Sequence, residues 1–147
     1  MSLKAKLMED MKAAMKEKDT IRKNAIQMVR AAILQVEKDK RIELNDEDII
    51  SVIGKEVKKR KDALSEIEKS NRQDMIDDLK REIDILMNYL PEQLSDEELE
   101  KIIDEVILEV GASSMKDMGK VMGAIAPKVK GRADNRRISV IVKQKLN

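Results

Sequence analysis

The chain has no cysteine, no histidine, no phenylalanine and no tryptophan, and Tyr89 is its single aromatic residue. Without cysteine or histidine there are no disulfides, no thiol nucleophile, no Cys/His metal site and no imidazole acid–base chemistry. The lack of cysteine fits a reducing compartment. With no aromatic ring near the basic C-terminal stretch there is no platform on which bases could stack, so any nucleic acid would be gripped by backbone and shape. No run approaches the ~18 apolar residues of a membrane span. The opening MSLKAKLMEDMK carries acids and no long apolar stretch, unlike a secretory leader. A soluble protein of the cytoplasm, with no membrane contact, is the expectation. Only 5 Gly and 2 Pro interrupt 147 residues, which suits long helices.

What is present is aliphatic and charged. Hydrophobic residues make up 41% and charged residues 40% of the chain, and 10 methionines supply adaptable core volume. The net charge of +1 conceals an asymmetry. Residues 1–90 hold 20 Lys and Arg against 19 Asp and Glu, residues 91–116 hold 2 against 8, and residues 117–147 hold 8 against 2. An acidic segment followed by a basic one either neutralises itself within a small domain or marks a partner surface.

Apolar spacing predicts seven helices and no strand. Ser2 caps the first, with Leu3, Leu7, Met8, Met11, Ala14 and Met15 on one face. Thr20 caps the second, which fades over Lys38 to Arg41, and Asn45 caps the third, which ends near Lys69. Gly54 inside the third suggests a close helix crossing. Ser70 with Gln73 resembles a capping box for a fourth helix that runs to Tyr89 and stops before Pro91. Residues 91–94 read as a linker. Ser95 with Glu98 starts the fifth helix and Gly111 ends it. Ser113 or Ser114 caps the sixth, Pro127 stops it, and Asp134 caps the seventh. The result is an all-α fold: a four-helix bundle over residues 1–90 and a three-helix domain over residues 91–147.

The candidate binding surface lies at the end of the chain. Lys120, Lys128, Lys130, Arg132, Arg136 and Arg137 surround the last helix–loop–helix, with Gly119, Gly123 and Gly131 among them. Lysine and arginine suit phosphates, and the N-terminus of the seventh helix adds free N–H donors. The plainer alternative is that the glycines permit tight packing and the charges are solvated. Lys55, Lys58, Lys59, Arg60 and Lys61 form a second basic run, read as a solvated face. Tyr89 reads as a packing or hinge residue. Ser113 and Ser114 with Lys116 superficially resemble an amidase grouping, but serines ahead of a helix are caps. No carboxylate sits on an apolar stripe that would raise its pKa for proton transfer. Neither a catalytic residue nor a metal or other cofactor is implied by the pattern.

Several stretches resemble the GatB/YqeY family: KEVKKRKDA at 55–63, NRQDM at 71–75, ILMNYLPEQLSDEEL at 85–99 and, above all, DMGKVMGAIAPKVKGRAD at 117–134. The C-terminal part resembles the tail domain of the B subunit of the tRNA-dependent amidotransferase, a carbon–nitrogen ligase with glutamine as amido donor. The resemblance implies a helical bundle followed by a tail that contacts tRNA away from the reacting end. By matching position it marks Gly119, Lys120, Lys128, Lys130, Gly131 and Arg132 as contacts. It implies tRNA or structured RNA as partner, and with it an aminoacyl-tRNA amidotransferase or a tRNA synthetase. It supplies no active site, so any enzymatic activity would be an inherited label. The competing reading is a helical protein–protein interaction module without RNA.

Overall fold

The computed structural model describes all 147 residues and is all-α, with seven α-helices and no strand. They are α1 (Leu3–Lys16), α2 (Thr20–Lys40), α3 (Asp46–Ile67), α4 (Gln73–Met87), α5 (Asp96–Val110), α6 (Met118–Val129) and α7 (Asn135–Leu146). The chain divides into two compact units, Met1–Leu90 and Pro91–Asn147.

The first unit is a bundle of α1 to α4. Lys4 near the start of α1 pairs with Glu37 near the end of α2 at 2.6 Å, so these two helices run antiparallel. The core is aliphatic: Leu7, Ile26, Val29, Ile49, Ile53 and Leu86 are wholly or almost wholly buried. Burial of that kind contributes about 1.5–3 kcal/mol per side chain. Caps fix the helix starts. The Ser2 side chain accepts from the Ala5 N–H. Asn45 and Asp48 form a reciprocal capping box, and the acids of the first turn suit the positive end of α3.

Several local expectations are corrected here. Asp19, not Thr20, caps α2 by accepting from the Arg22 N–H. The cause is the end of α1: Lys18 adopts a positive φ of 60°, and the Asp19 and Lys18 N–H groups return to the Ala14 and Met15 carbonyls. That closure leaves Asp19 as the turn residue facing the next helix. Ser70 and Gln73 form no box. A 3-10 turn over Glu68–Ser70 follows α3, the Ser70 hydroxyl donates back to the Ile67 carbonyl, and left-handed Asn71 reverses the chain. Gly54 is not demanded by a crossing, since a Cβ there would meet nothing within 4 Å.

The basic run on α3 is not wholly a solvated face. Arg60 is 6% exposed and Glu56 is 5% exposed. Arg60 Nη1 donates to the Glu56 carbonyl at 3.0 Å and to its carboxylate at 3.3 Å. Its Nε forms an ion pair with Glu82 of α4 at 3.6 Å and makes no hydrogen bond. Glu56 is thus a carboxylate on the buried side of a helix, against expectation. The spacing had the signal: Arg60 follows Ile53 by seven and Val57 by three, and Glu56 follows Val52 by four.

The second unit packs α5, α6 and α7 around Leu99, Ile103, Val106, Val121, Ile125, Ile138 and Val142, all 0–1% exposed. Ser95 caps α5 by accepting from the Glu98 N–H, which is half of a capping box, while its hydroxyl donates a hydrogen bond to the Glu98 carboxylate. Gly111 ends α5 at φ 66°. Neither Ser113 nor Ser114 caps α6 with its side chain. A 3-10 turn over Met115–Asp117 intervenes, and the Asp117 carboxylate accepts from the Ser113 N–H. Pro127 lies inside α6, which continues to Val129. A proline that late forfeits a single bond, to the exposed Gly123, and continuing the helix buries Val129.

Residues 91–94 are not a free linker. The Leu94 N–H donates to the Arg132 carbonyl at 2.8 Å, and Gln93 Nε2 donates to the Gly131 carbonyl at 2.7 Å. Leu94 itself is buried in the second core.

Candidate nucleic-acid interface

The turn between α6 and α7 is built by Gly131. Its φ of 73° is one that side chains rarely adopt, and its carbonyl then faces Gln93. Arg132 Nε donates to the Glu92 carbonyl at 3.3 Å, completing a strap of residues 92–94 against residues 131–132. Asp134 caps α7 by accepting from the Arg136 N–H.

The structure separates the sequence-derived candidates into groups. Arg137 is fastened: its Nε lies 2.6 Å from Asp96 and its Nη2 donates to the Leu94 carbonyl at 2.7 Å. Lys128 reaches Glu109 of α5 at 3.2 Å, with both side chains largely exposed. Lys145 reaches Asp104 of α5 at 2.8 Å, and that hydrogen bond holds its ammonium above the usual lysine value. Three of the C-terminal cations are therefore tied to the acids of α5, so the charge asymmetry is in part neutralised within the unit. Gly131 and Arg132 serve the strap. Lys120 and Lys130 are exposed and make no ion pair, and Arg136 is exposed at the start of α7.

At 100° per residue, Gly119, Lys120 and Gly123 fall on the solvent side of α6, opposite Val121 and Ile125, and Lys128 falls to another side. A Cβ at Gly119 or Gly123 would meet nothing within 4 Å. Tight packing inside the unit therefore does not account for either glycine. The face left open is smooth, helical backbone bordered by Lys120.

The first unit offers a different kind of site. A cavity of about 270 Å³ is lined by Lys6, Asp10, Arg22, Ile85, Asn88 and Tyr89. The Tyr89 hydroxyl donates to Asp10, whose other oxygen lies 3.7 Å from Arg22. Burial and then the Asp10 carboxylate push the Tyr89 phenol well above its ordinary value. Tyr89 also packs against the core, which suits its reading as a packing residue. The sequence pattern gave no sign that Asp10 and Tyr89, 79 residues apart, would meet.

Comparison with known proteins gives these arrangements a family. The model of the family described as YqeY-like protein matches residues 4–146. The chain is similar to altered inheritance of mitochondria protein 41, mitochondrial, of Pyrenophora tritici-repentis, at 27% identity over 132 residues, which is 87% of this chain and 71% of that protein. The Kluyveromyces lactis protein of the same name is 37% identical over 90 residues, covering 58% of this chain and 46% of its own length. Similarity to a glutamyl-tRNA(Gln) amidotransferase subunit of Thermococcus gammatolerans is partial: 42% identity over 57 residues, 36% of this chain and 9% of that protein. With the family model spanning all seven helices, the chain belongs to the YqeY-like family.

Proposed function

We propose that this protein is an accessory factor that binds tRNA or another structured RNA through α6 and its junction with α7. The observation that carries the reading is the open face of α6, where Gly119 and Gly123 expose backbone beside unpaired Lys120, with Lys130 unpaired at the helix exit. A phosphate backbone can approach such a face closely, and lysines there give affinity without base readout. Arg136, exposed in the first turn of α7, extends the cationic edge. The partial similarity to a protein named as part of a glutamyl-tRNA(Gln) amidotransferase supports a link to aminoacyl-tRNA amidation. On this reading the contribution is binding, and catalysis belongs to an amidotransferase or synthetase partner.

The test is tRNA binding at two salt concentrations, for wild type and for the variant Lys120→Glu, Lys128→Glu, Lys130→Glu. Wild-type affinity should fall steeply with salt, and the triple variant should lose binding with its helicity intact. Equal affinity in the two proteins would overturn the assignment. Addition to a purified aminoacyl-tRNA amidotransferase should change its rate or tRNA affinity, and no change removes that link. The reading places the protein in the cytoplasm, whereas the fungal relatives are named as mitochondrial; cell fractionation decides between the compartments.

A second reading, a protein-docking module without RNA, is favoured by Leu108 of α5, which is 84% exposed, and by Val140 of α7, 55% exposed. Loss of a complex on Leu108→Glu, with RNA binding absent throughout, would establish it instead.

A further inference from the structure

Arg60 holds an unequal set of partners. Its guanidinium is buried between α2, α3 and α4; Glu56 hydrogen-bonds one end of it, and Glu82 pairs with Nε at 3.6 Å without a hydrogen bond. At the other end Nη2 donates to the thioether sulfur of Met28 at 3.4 Å, and Nε has no hydrogen-bond partner. Thioether sulfur is a weak acceptor. A strong donor therefore faces a weak acceptor at a half-buried position, and a better acceptor there would be held by a charge-assisted hydrogen bond.

Met28 is also reachable from solvent. The residue is 53% exposed on α2. Oxidation of methionine turns its sulfur into a sulfoxide, whose oxygen is a far stronger acceptor, and the change is enzymatically reversible. In most cores that change is disruptive. Here the new oxygen would be added beside Nη2, the guanidinium nitrogen whose acceptor is the weak thioether. We propose that Met28 is a site of reversible oxidation, its sulfoxide captured by Arg60 so that oxidation fastens α2 to α3 instead of loosening them.

The chemistry balances with a peroxide as oxidant. The sulfur lone pair attacks one peroxide oxygen, the O–O bond breaks, and the departing hydroxide takes the proton from the oxygen now on sulfur and leaves as water. Sulfur loses two electrons and the peroxide gains them. With Met28 in the rotamer that meets Arg60, one of the two sulfoxide epimers directs its oxygen at the guanidinium and the other away from it, because oxidation makes the sulfur stereogenic. The chain contains its own control in Met15 of α1, which is 56% exposed and carries no guanidinium on its sulfur.

The experiment treats the folded protein with dilute hydrogen peroxide, maps the peptides by mass spectrometry, and then adds the two epimer-specific methionine sulfoxide reductases separately. Met28 and Met15 should both oxidise. At Met15 both epimers should be reduced readily. At Met28 one epimer should persist about tenfold longer or more, the factor that one charge-assisted hydrogen bond corresponds to. A second arm needs no oxidant: Met28→Gln, whose amide oxygen imitates the sulfoxide, should melt higher than Met28→Leu. Both variants alter a half-exposed side chain, so folding is retained. A Met28 that stays reduced while Met15 oxidises, equal turnover of both epimers at both sites, or a lower melting temperature for Met28→Gln than for Met28→Leu would each overturn the proposal.

Discussion

The two units treat charge in opposite ways. The bundle of α1 to α4 takes an ion pair into its interior, where Arg60 and Glu56 are the chain's only buried charged side chains. The unit of α5 to α7 keeps its core wholly apolar and places its ion pairs at the periphery, as ties from α6 and α7 to the acids of α5. That pair lies within α3, and a buried pair loses much of its Coulombic gain to desolvation. A peripheral pair is worth less and leaves neighbouring cations free for a ligand. The contrast suits a rigid bundle joined to a unit with an accessible cationic edge.

The contrast breaks most visibly at Glu56. Glu56→Ala leaves the buried Arg60 guanidinium with the backbone carbonyl and the Met28 sulfur as acceptors and the Glu82 carboxylate 3.6 Å away as its one remaining counter-charge. The expected loss is about 3–5 kcal/mol, read by chemical denaturation. A loss below about 1 kcal/mol would show that water reaches Arg60, and the two units would then not differ. Replacing Glu56 and Arg60 together by apolar residues should restore most of the loss.

Within the second unit the same comparison separates anchors from ornaments. Arg137 donates to the half-buried Leu94 carbonyl and to Asp96, so Arg137→Gln should cost about 1–2 kcal/mol. Lys128 and Glu109 are both largely exposed, and Lys128→Gln should change stability by less than about 0.5 kcal/mol. Thermal melts of the two variants side by side test the ranking. Equal effects would mean that Arg137 acts as a surface charge and belongs with the RNA-binding candidates.

The helix pattern was legible where a cap or stop acts locally. Ser2, Asn45, Ser95, Gly111 and Asp134 do what their types suggest, because each bond they make is to a backbone group within a few residues. It failed where the preceding helix decided the outcome. Asp19 displaced Thr20 because the closure of α1 set its position, and Ser70 was drawn into a 3-10 turn before it could cap α4. Pro127 misled because stop rules ignore what lies beyond; Val129 had a core to enter. The candidate site was legible as a set of cations, but not in its division. Two segments far apart, 92–94 and 131–132, form one strap, so part of the conspicuous stretch at 117–134 serves architecture. Arg60 was obscured because its neighbours Lys58, Lys59 and Lys61 are exposed and it was read with them.

Glycines sharpen the comparison further. Gly54 of α3 and Gly119 and Gly123 of α6 all have room for a Cβ. Each should gain up to about 1 kcal/mol on substitution by alanine, since helical backbone entropy is the only cost removed. The units should part in a second readout. Gly54→Ala should leave RNA binding unchanged, whereas Gly119→Ala with Gly123→Ala should weaken it by holding the phosphate backbone away from α6. Stabilised variants with unaltered binding would leave Lys120 and Lys130 as the contacts and remove the helix backbone from the interface.

The smallest effect concerns how the first unit is tied at its open end. Lys4 donates to Glu37 at 2.6 Å, and the Leu44 N–H donates to the same carboxylate at 2.9 Å. The Lys4 hydrogen bond and then the Leu44 N–H hold the Glu37 carboxyl below its ordinary value, against a weaker opposing push from burial. A lowered folded value means that the unfolded chain takes up the proton first. The stabilisation is therefore complete above the ordinary glutamate value of 4.5 and is lost as pH falls through the lower folded value. Glu37→Gln removes that dependence, so the melting temperatures of wild type and variant should differ at pH 6 and converge toward pH 3. A constant difference across that window would mean that Glu37 contributes by packing over Leu44 and not by its charge.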